Sequence, residues 1–373
     1  MTEVLLALVR GAFVASVLSS FGAALFLSLL APTLLRRLHG GTAGTLARNC
    51  RRVVWCSLVA AFVAGPAWLV FETAVIVDAK SFVQAVAAVP SVLSDTRFGQ
   101  VLALQALALF GAAAAMASRR PRSPTAAACL SGIACLVEAG HSHAFAMSHG
   151  PGALLLSQAL HLLAAGAWLG GLLPLFMVVW EAPLDVTAFA ARRFSALGLV
   201  SVAILAATAM FQGWVLSGGL PGLTGTAYGA VLLTKAALFA ALIALAARNR
   251  LHLTPVLAQP NGERSRRALL RSIALETTLG LCVVLAAGVL SGLEPGMHQH
   301  VVTAASQWPL LARGGSSERC RSRPLSTAFQ THRNVTRMAA CDPERSWTGT
   351  LARHAGARSQ CFLGRHDSAA RRY

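Results

Sequence analysis

The residues best suited to metal chemistry are three histidines and a methionine that lie within nine positions. His141, His143 and His149 surround Met147, and Glu138 stands one helical turn before the first of them. Imidazole nitrogen suits Cu(II) and zinc, and thioether sulfur with imidazole suits Cu(I). Because the whole chain has only 11 histidines, this density favours a metal-binding loop, whose side chains we expect to pack little against the rest of the protein. Solvated loop histidines without a ligand role are the alternative.

A second cluster of the same type follows the last long apolar run. It consists of Met297, His298 and His300. Thiols oxidise outside the cytoplasm, whereas imidazole and thioether groups remain usable metal ligands there. We therefore expect both clusters to contact copper, with zinc as the competing metal.

A third group of polar residues lies inside the apolar runs, where lipid would penalise them. Gln158 and His161 are one helical turn apart, and Gln105, Gln212 and Lys235 occupy other runs at a similar depth. Such side chains face either the interior of a helix bundle or a wet cavity. Their shared depth predicts one polar chamber, with separate interhelical hydrogen bonds as the alternative.

Two further charges lie near the ends of apolar runs. We expect Arg10 to extend its long side chain to the nearby membrane interface. We expect Glu276, which lies in the last run, to pair with an arginine of the preceding loop.

The elements that carry these residues are predicted to be transmembrane helices. Apolar residues make up 55% of the chain and charged residues 12%, whereas soluble domains carry about a quarter charged residues. The apolar residues fall into runs of about 20, which cross a hydrocarbon layer of about 30 Å. The predicted fold is therefore an all-α polytopic bundle with spans at about 11–31, 53–76, 98–117, 125–146, 154–179, 195–216, 227–247 and 271–293.

The net charge of +18 follows a topological pattern and does not indicate nucleic-acid binding. Arginines crowd the loops 31–52, 118–124, 180–194 and 248–270, and the alternating loops are nearly bare. Basic loops stay in the cytoplasm. This alternation predicts that the N-terminus and the end of the eighth span lie on the periplasmic side.

The chain is expected to divide into a membrane domain, residues 1–300, and a basic tail, residues 301–373. Residues 313–373 hold 12 arginines and no lysine against 4 acids, and they show no helical or strand period. Disorder and an out-of-frame reading are both compatible with this composition. The chain also lacks a phosphate-binding loop and a haem-attachment motif, so neither ATP-driven pumping nor enzymatic activity is expected.

Several stretches resemble the CopD family of copper resistance proteins. Residues 159–175, ALHLLAAGAWLGGLLPL, resemble the family signature. The stretches YGAVLLTKAALF at 228–239 and RNRLHLTP at 248–255 resemble its following blocks, and TRFG at 96–99 resembles the start of the third span. Glu276 with Leu279 and Gly280 fits the last span. The resemblance covers about residues 5–300.

The resemblance implies a bacterial inner-membrane protein that transports or relays copper. It also implies a separate periplasmic copper carrier of the CopC type as a partner. The residues that match the family pattern are His161, Trp168, Lys235, Asn249 and Arg250.

Two other functions remain open at this point. One is a haem-binding electron carrier, for which His161 and His141 would be the axial ligands. The other is a non-transporting membrane protein that docks a copper chaperone.

Overall fold

The computed structural model describes residues 2–38, 41–118, 120–142, 151–217, 223–257, 259 and 262–293. Within these ranges every regular element is a helix, and eight helices are long and apolar enough to cross a membrane. The predicted all-α bundle of eight spans is therefore confirmed. The helices are α1 (Thr2–Leu29), α2 (Ala31–Leu35), α3 (Gly41–Ile76), α4 (Phe82–Asp95), α5 (Arg97–Ala117), α6 (Ser123–Glu138), α7 (Pro151–Glu181), α8 (Leu184–Ser217), α9 (Ala227–Arg248), α10 (Thr254–Val256) and α11 (Gly262–Leu290).

Several spanning helices are longer than the apolar runs that predicted them. α3 begins at Gly41, α8 at Leu184 and α11 at Gly262, and each added segment carries arginines. Hydropathy detects only the part of a helix that lies in lipid, whereas backbone hydrogen bonding continues into the polar region. α6, in contrast, ends before the predicted end of its span. Its last residue is Glu138, and a 3-10 turn, Ala139–His141, follows it.

α4 was not predicted, because its residues were interpreted as a loop. The side chain of Ser81 caps the helix by accepting a hydrogen bond from the Gln84 backbone N–H at 3.3 Å. Ala85 and Val92 are buried, and α4 packs against α3 and α5. With 14 residues α4 is too short to span the hydrocarbon layer.

α1 lies at the centre of the bundle and packs against α3, α6, α7 and α11. Its closest approach to α7 depends on glycine. A Cβ atom added to Gly170 would lie 2.2 Å from the Leu18 carbonyl oxygen, and one added to Gly22 would lie 2.1 Å from the Gly166 oxygen. Small residues allow helix backbones to approach closely in membranes. The glycines of α7 therefore serve close packing, and α7 is continuous through Pro174.

The arginine-rich segments meet at one end of the bundle. The Arg51 side chain donates a hydrogen bond to the Met116 carbonyl oxygen, which joins the start of α3 to the end of α5. The Arg37 guanidinium lies 3.9 Å from the ring centroid of Phe189 in α8. Arg250 donates to Ser195 of α8. We call this end, formed by the segments 31–52, 118–124, 180–194 and 248–270, the basic end.

Candidate functional site

His161 lies on α7 and is half-buried. Its Nδ1 is 2.9 Å from the hydroxyl oxygen of Thr208 in α8. The same hydroxyl lies 2.7 Å from the Ile204 carbonyl oxygen. This geometry assigns the single hydroxyl proton of Thr208 to that carbonyl, and with this assignment the Thr208 oxygen accepts a hydrogen bond from His161 Nδ1–H. The lone pair of His161 is therefore on Nε2, and this is the neutral form in which histidine binds metals.

His161 lines a cavity of about 650 Å³, which we call the His161 cavity. Helices α1, α7, α8, α9 and α11 provide most of its wall. The cavity brings together six of the candidate site residues from the sequence, although they come from four different helices. They are Glu138, Gln158, His161, Trp168, Gln212 and Lys235.

The wall of the His161 cavity is mainly apolar and carries a few polar groups. Gln212 is held by a hydrogen bond from its Nε2 to the Ser157 hydroxyl at 3.1 Å. Lys235 and Arg10 are the basic residues of the lining, and Glu138 is its acid. Within the described part of the chain, no three His, Cys, Asp or Glu side chains gather into a metal-binding group. His161 thus offers one nitrogen to a roomy cavity, unlike a closed structural metal site with four protein ligands.

His141 is built into the bundle, which differs from the loosely packed loop residue expected from the sequence. Its Nε2 lies 3.0 Å from the Gln105 side-chain oxygen. Its ring packs against Trp68 and Phe98, with centroid separations of 4.8 and 5.3 Å. The expectation of loose packing is wrong for His141, because aromatic residues of α3 and α5 enclose it.

Gln105 and Glu138 complete this arrangement. Gln105 is fully buried, and its Nε2 donates to the Glu138 carboxylate at 2.7 Å and to the Ala134 carbonyl at 3.2 Å. The amide thereby connects an acid of the His161 cavity to the ring of His141. Gln105 itself does not line that cavity, so the expected chamber excludes this one glutamine.

Arg10 has a different position from the one predicted. Its guanidinium lies over the Trp68 ring, 5.2 Å from the centroid, and donates to the His141 carbonyl oxygen at 3.4 Å. Arg10 also lines the His161 cavity. The side chain therefore turns into the bundle, where a cation–π contact and a carbonyl partner stabilise its charge.

A smaller cavity of about 190 Å³ lies towards the basic end, and we call it the Glu276 cavity. Asn249 and Arg250 line it with Glu276, and Trp168 lines both cavities. The expected partner of Glu276 was a loop arginine. Its carboxylate instead accepts a hydrogen bond from the Asn249 side-chain amide, whereas Arg250 donates to the Ser195 hydroxyl at 2.9 Å.

The remaining candidate ligands cannot be placed in this arrangement. His143, Met147 and His149 lie outside the described residues, as does the second cluster of Met297, His298 and His300. The predicted tail, residues 301–373, also lies outside them. Their roles remain predictions from the sequence.

Sequence reasoning missed several residues that organise the site. Thr208 fixes the tautomer of His161, and Trp68 and Phe98 enclose His141. A threonine or an aromatic residue in an apolar span is common, so its type alone gave no signal. Gln105 was identified by its polarity, but its link to Glu138 depends on how α5 and α6 pack.

Two family models match the chain, and together they cover more than half of it. The model described as Copper resistance protein D-like, N-terminal domain, matches residues 1–154. The model described as Copper resistance protein D matches residues 188–290. The second match contains Thr208, Lys235, Asn249 and Glu276, whereas His161 lies between the two matches.

Two curated proteins are similar to part of the chain. Copper transport protein CutJ of Bacillus subtilis (strain 168) is 29% identical over 143 residues, which are 37% of this chain and 25% of CutJ. Inner membrane protein YebZ of Escherichia coli (strain K12) is 32% identical over 145 residues, which are 37% of this chain and 48% of YebZ. The chain thus spans half or less of the length of these relatives.

No solved structure is significantly similar to the chain. The two family matches and the eight spanning helices nevertheless agree with the resemblance seen in the sequence, which they confirm. The chain belongs to the copper resistance protein D family.

Proposed function

We propose that this protein transports or relays copper ions across the bacterial inner membrane, and that the His161 cavity is part of the path. The observation that carries the proposal is the convergence of His161, Gln158, Gln212 and Lys235 on one cavity within the spans. His161 has its Nδ1 engaged by Thr208, so Nε2 is the nitrogen available to copper. The name of CutJ, a copper transport protein, agrees with this assignment.

The geometry of the His161 cavity is better suited to transient binding of copper than to storage of copper. A structural metal site surrounds its ion with a full set of protein ligands. The polar groups of the His161 cavity include one imidazole, one carboxyl group, two amides, an amine and a guanidinium over a volume of about 650 Å³. An ion that must leave again has to be bound weakly enough to be released, and a single imidazole in a roomy cavity meets this requirement.

The histidine and methionine clusters at 143–149 and 297–300 are proposed to capture copper at the end of the path opposite the basic end. His141 and Glu138 sit where the first cluster joins the bundle. We further propose a separate periplasmic carrier of the CopC type as the donor. The bound copper would be the cargo of the protein and not a resident cofactor.

The haem alternative receives no support from the two histidines inside the bundle. His161 bonds to Thr208 of α8, whereas His141 bonds to Gln105 of α5 and packs between aromatic rings. Axial ligands of one haem must present their free nitrogens to the same iron. These two rings are instead engaged by different helices.

The first prediction concerns His161. His161→Ala is expected to reduce copper uptake into sealed vesicles to the level of protein-free vesicles, at normal protein content. His161→Met should retain part of the uptake, because thioether sulfur also binds Cu(I). His252→Ala is the matched control, since His252 is exposed near the basic end and lines neither cavity.

A further variant separates ligation from hydrogen bonding. His161→Gln keeps a hydrogen-bonding group, so wild-type uptake by this variant would contradict a ligand role. Thr208→Val removes the partner of His161 Nδ1 and should weaken copper affinity by about 10–100-fold, as loss of such supporting bonds does. Thr278→Val is its control, because the Thr278 hydroxyl also bonds one turn back, to Ala274, and neither residue lines either cavity.

A further inference from the structure

Trp168 forms a partition between the two cavities. Its side chain is 2% exposed and lines both the His161 cavity and the Glu276 cavity. A Cβ atom added to Gly198 of α8 would lie 3.5 Å from the indole Cδ1 and Nε1 atoms. Phe239 of α9 packs on the indole edge, with ring centroids 6.4 Å apart. The Trp168 side chain therefore separates the His161 cavity from the Glu276 cavity, which lies towards the basic end.

The Glu276 cavity holds a carboxyl group without a cationic partner. Glu276 is 3% exposed, and no Lys, Arg or His nitrogen lies within 4.0 Å of its carboxylate in the described part of the chain. Its hydrogen bond comes from the neutral amide of Asn249. An acid inside a membrane span is costly when ionised and is commonly part of a proton or ion path.

Among the described residues, the surroundings of Glu276 contain one other charged group. Arg250, next to Asn249, lines the same cavity, but its guanidinium donates to the carbonyl and hydroxyl oxygens of Ser195 at 3.2 and 2.9 Å. The other lining residues from α7, α8, α9 and α11 carry no ionisable side chain. They include Trp168, Leu172, Leu175, Phe194, Ile243 and Ile273.

Asn249 provides a second, independent observation. It is 9% exposed, and its Oδ1 is buried without a hydrogen-bond partner, although its Nδ2 bonds to Glu276. Buried amide oxygens are normally paired. An ionised carboxylate has no proton to give, but a protonated carboxyl group has one O–H donor. A proton on Glu276 would therefore place the missing type of donor beside Asn249.

We propose that Glu276 and Asn249 form a proton-binding site that faces the Glu276 cavity, on the other side of Trp168 from His161. The proton comes from water at the basic end, converts the carboxylate of Glu276 into a carboxylic acid, and returns to water when the acid ionises. Asn249 holds the group in both states, by donating through Nδ2 and accepting through Oδ1. The use of this proton to drive copper movement rests on the proposed function.

The proton site is tested without copper by infrared spectroscopy of the purified full chain. The wild-type protein should show the carbonyl stretching band of a protonated carboxylic acid, which shifts in D₂O and disappears as pH rises. Glu276→Gln should remove this band and leave the fold intact, because glutamine keeps an oxygen for Asn249. An unchanged spectrum in Glu276→Gln would overturn the proposal.

Two variants assign the band. Glu138→Gln, which alters the buried acid beside Gln105, should leave the Glu276 band in place. Asn249→Ala should move the Glu276 carbonyl band to higher frequency, because the carboxylic acid loses its hydrogen bonds to the amide. A band at the wild-type frequency in Asn249→Ala would contradict the role given to the amide.

Vesicle uptake tests the coupling separately. With an imposed pH gradient, copper uptake by wild type should change at least threefold, and uptake by Glu276→Gln should not respond. A variant that responds as wild type does would overturn the coupling. If the wild type takes up no copper while the infrared band behaves as expected, the proposed transport function fails and the proton site stands.

Discussion

At the scale of single residues, the two intramembrane histidines differ in which nitrogen the protein occupies. Thr208 holds Nδ1 of His161 and leaves Nε2 for a ligand, whereas Gln105 engages Nε2 of His141. The identity of the hydrogen-bond partner decides which ring nitrogen is available to a metal. The nitrogen left by these bonds is Nε2 in His161 and Nδ1 in His141, and only His161 lines the His161 cavity.

The second prediction follows from the packing of His141. His141→Ala is expected to lower the free energy of unfolding by about 1–3 kcal/mol, because it leaves the buried oxygen of Gln105 without its partner. Thermal unfolding in detergent measures the change. The triple replacement of His143, Met147 and His149 by Ala should weaken copper binding instead, with stability unchanged within about 0.5 kcal/mol.

These two variants distinguish a structural histidine from loop ligands. If His141→Ala unfolds at the wild-type temperature but loses copper binding, then His141 is a ligand and its contacts contribute little to stability. If the triple variant binds copper as wild type does, the loop residues are solvated groups without a ligand role.

Residue identity predicted the lining of the site better than it predicted the contacts. Gln158, Gln212 and Lys235 were identified because polar groups are rare in lipid-facing helices, and the cavity contains all three. Their hydrogen-bond partners could not be predicted, because serine and threonine occur throughout the spans. Arg10 was misplaced for a related reason, since extension to the interface assumes that no aromatic ring is close.

At the scale of helices, hydropathy identified every span and underestimated the length of several. The segments of α3, α8 and α11 that precede the predicted spans contain arginines and therefore fall below any apolar threshold, although they are helical. α4 was not predicted, because it is too short for a membrane span and only one of its faces packs against the rest of the bundle. Phe82 and Val83 are 73% and 76% exposed while Ala85 and Val92 are buried, so one face packs on the bundle and the other does not.

The third prediction tests the crossing of α1 and α7. Gly170→Ala is expected to destabilise the protein by about 1–3 kcal/mol, because the new Cβ would lie 2.2 Å from the Leu18 carbonyl oxygen and neither backbone moves easily. Gly152→Ala is the matched control on the same helix, where a Cβ meets nothing within 4 Å. Thermal unfolding in detergent compares the two variants.

A shift of α1 relative to α7 should also change the shape of the His161 cavity. Leu18 and His161 both line the His161 cavity, and on α7 His161 lies about two and a half turns before Gly170. If Gly170→Ala is as stable as Gly152→Ala, the close approach of α1 and α7 contributes nothing measurable to the bundle.

At the scale of the whole molecule, the four basic segments form a single end. Contacts from Arg51 to α5, from Arg37 to α8 and from Arg250 to α8 bring these segments together. The alternation of arginines along the sequence predicted that these segments share a side. Which contacts join them could not be predicted, because any arginine of a basic loop can reach several carbonyl groups.

The last prediction assigns the basic end to the cytoplasm. Positively charged loops remain on the cytoplasmic side during insertion, and residues 31–52 alone contain five arginines. A reporter that works only in the periplasm should be active when it is fused after residue 150, between α6 and α7. A reporter that works only in the cytoplasm should be active when it is fused after Gln259, between α10 and α11. As a control, the same reporters are inserted into full-length protein. If this protein still takes up copper, the reporter signal does not come from an inverted, inactive population. Cytoplasmic activity at residue 150 would reverse the orientation, and with it the side from which copper reaches His161.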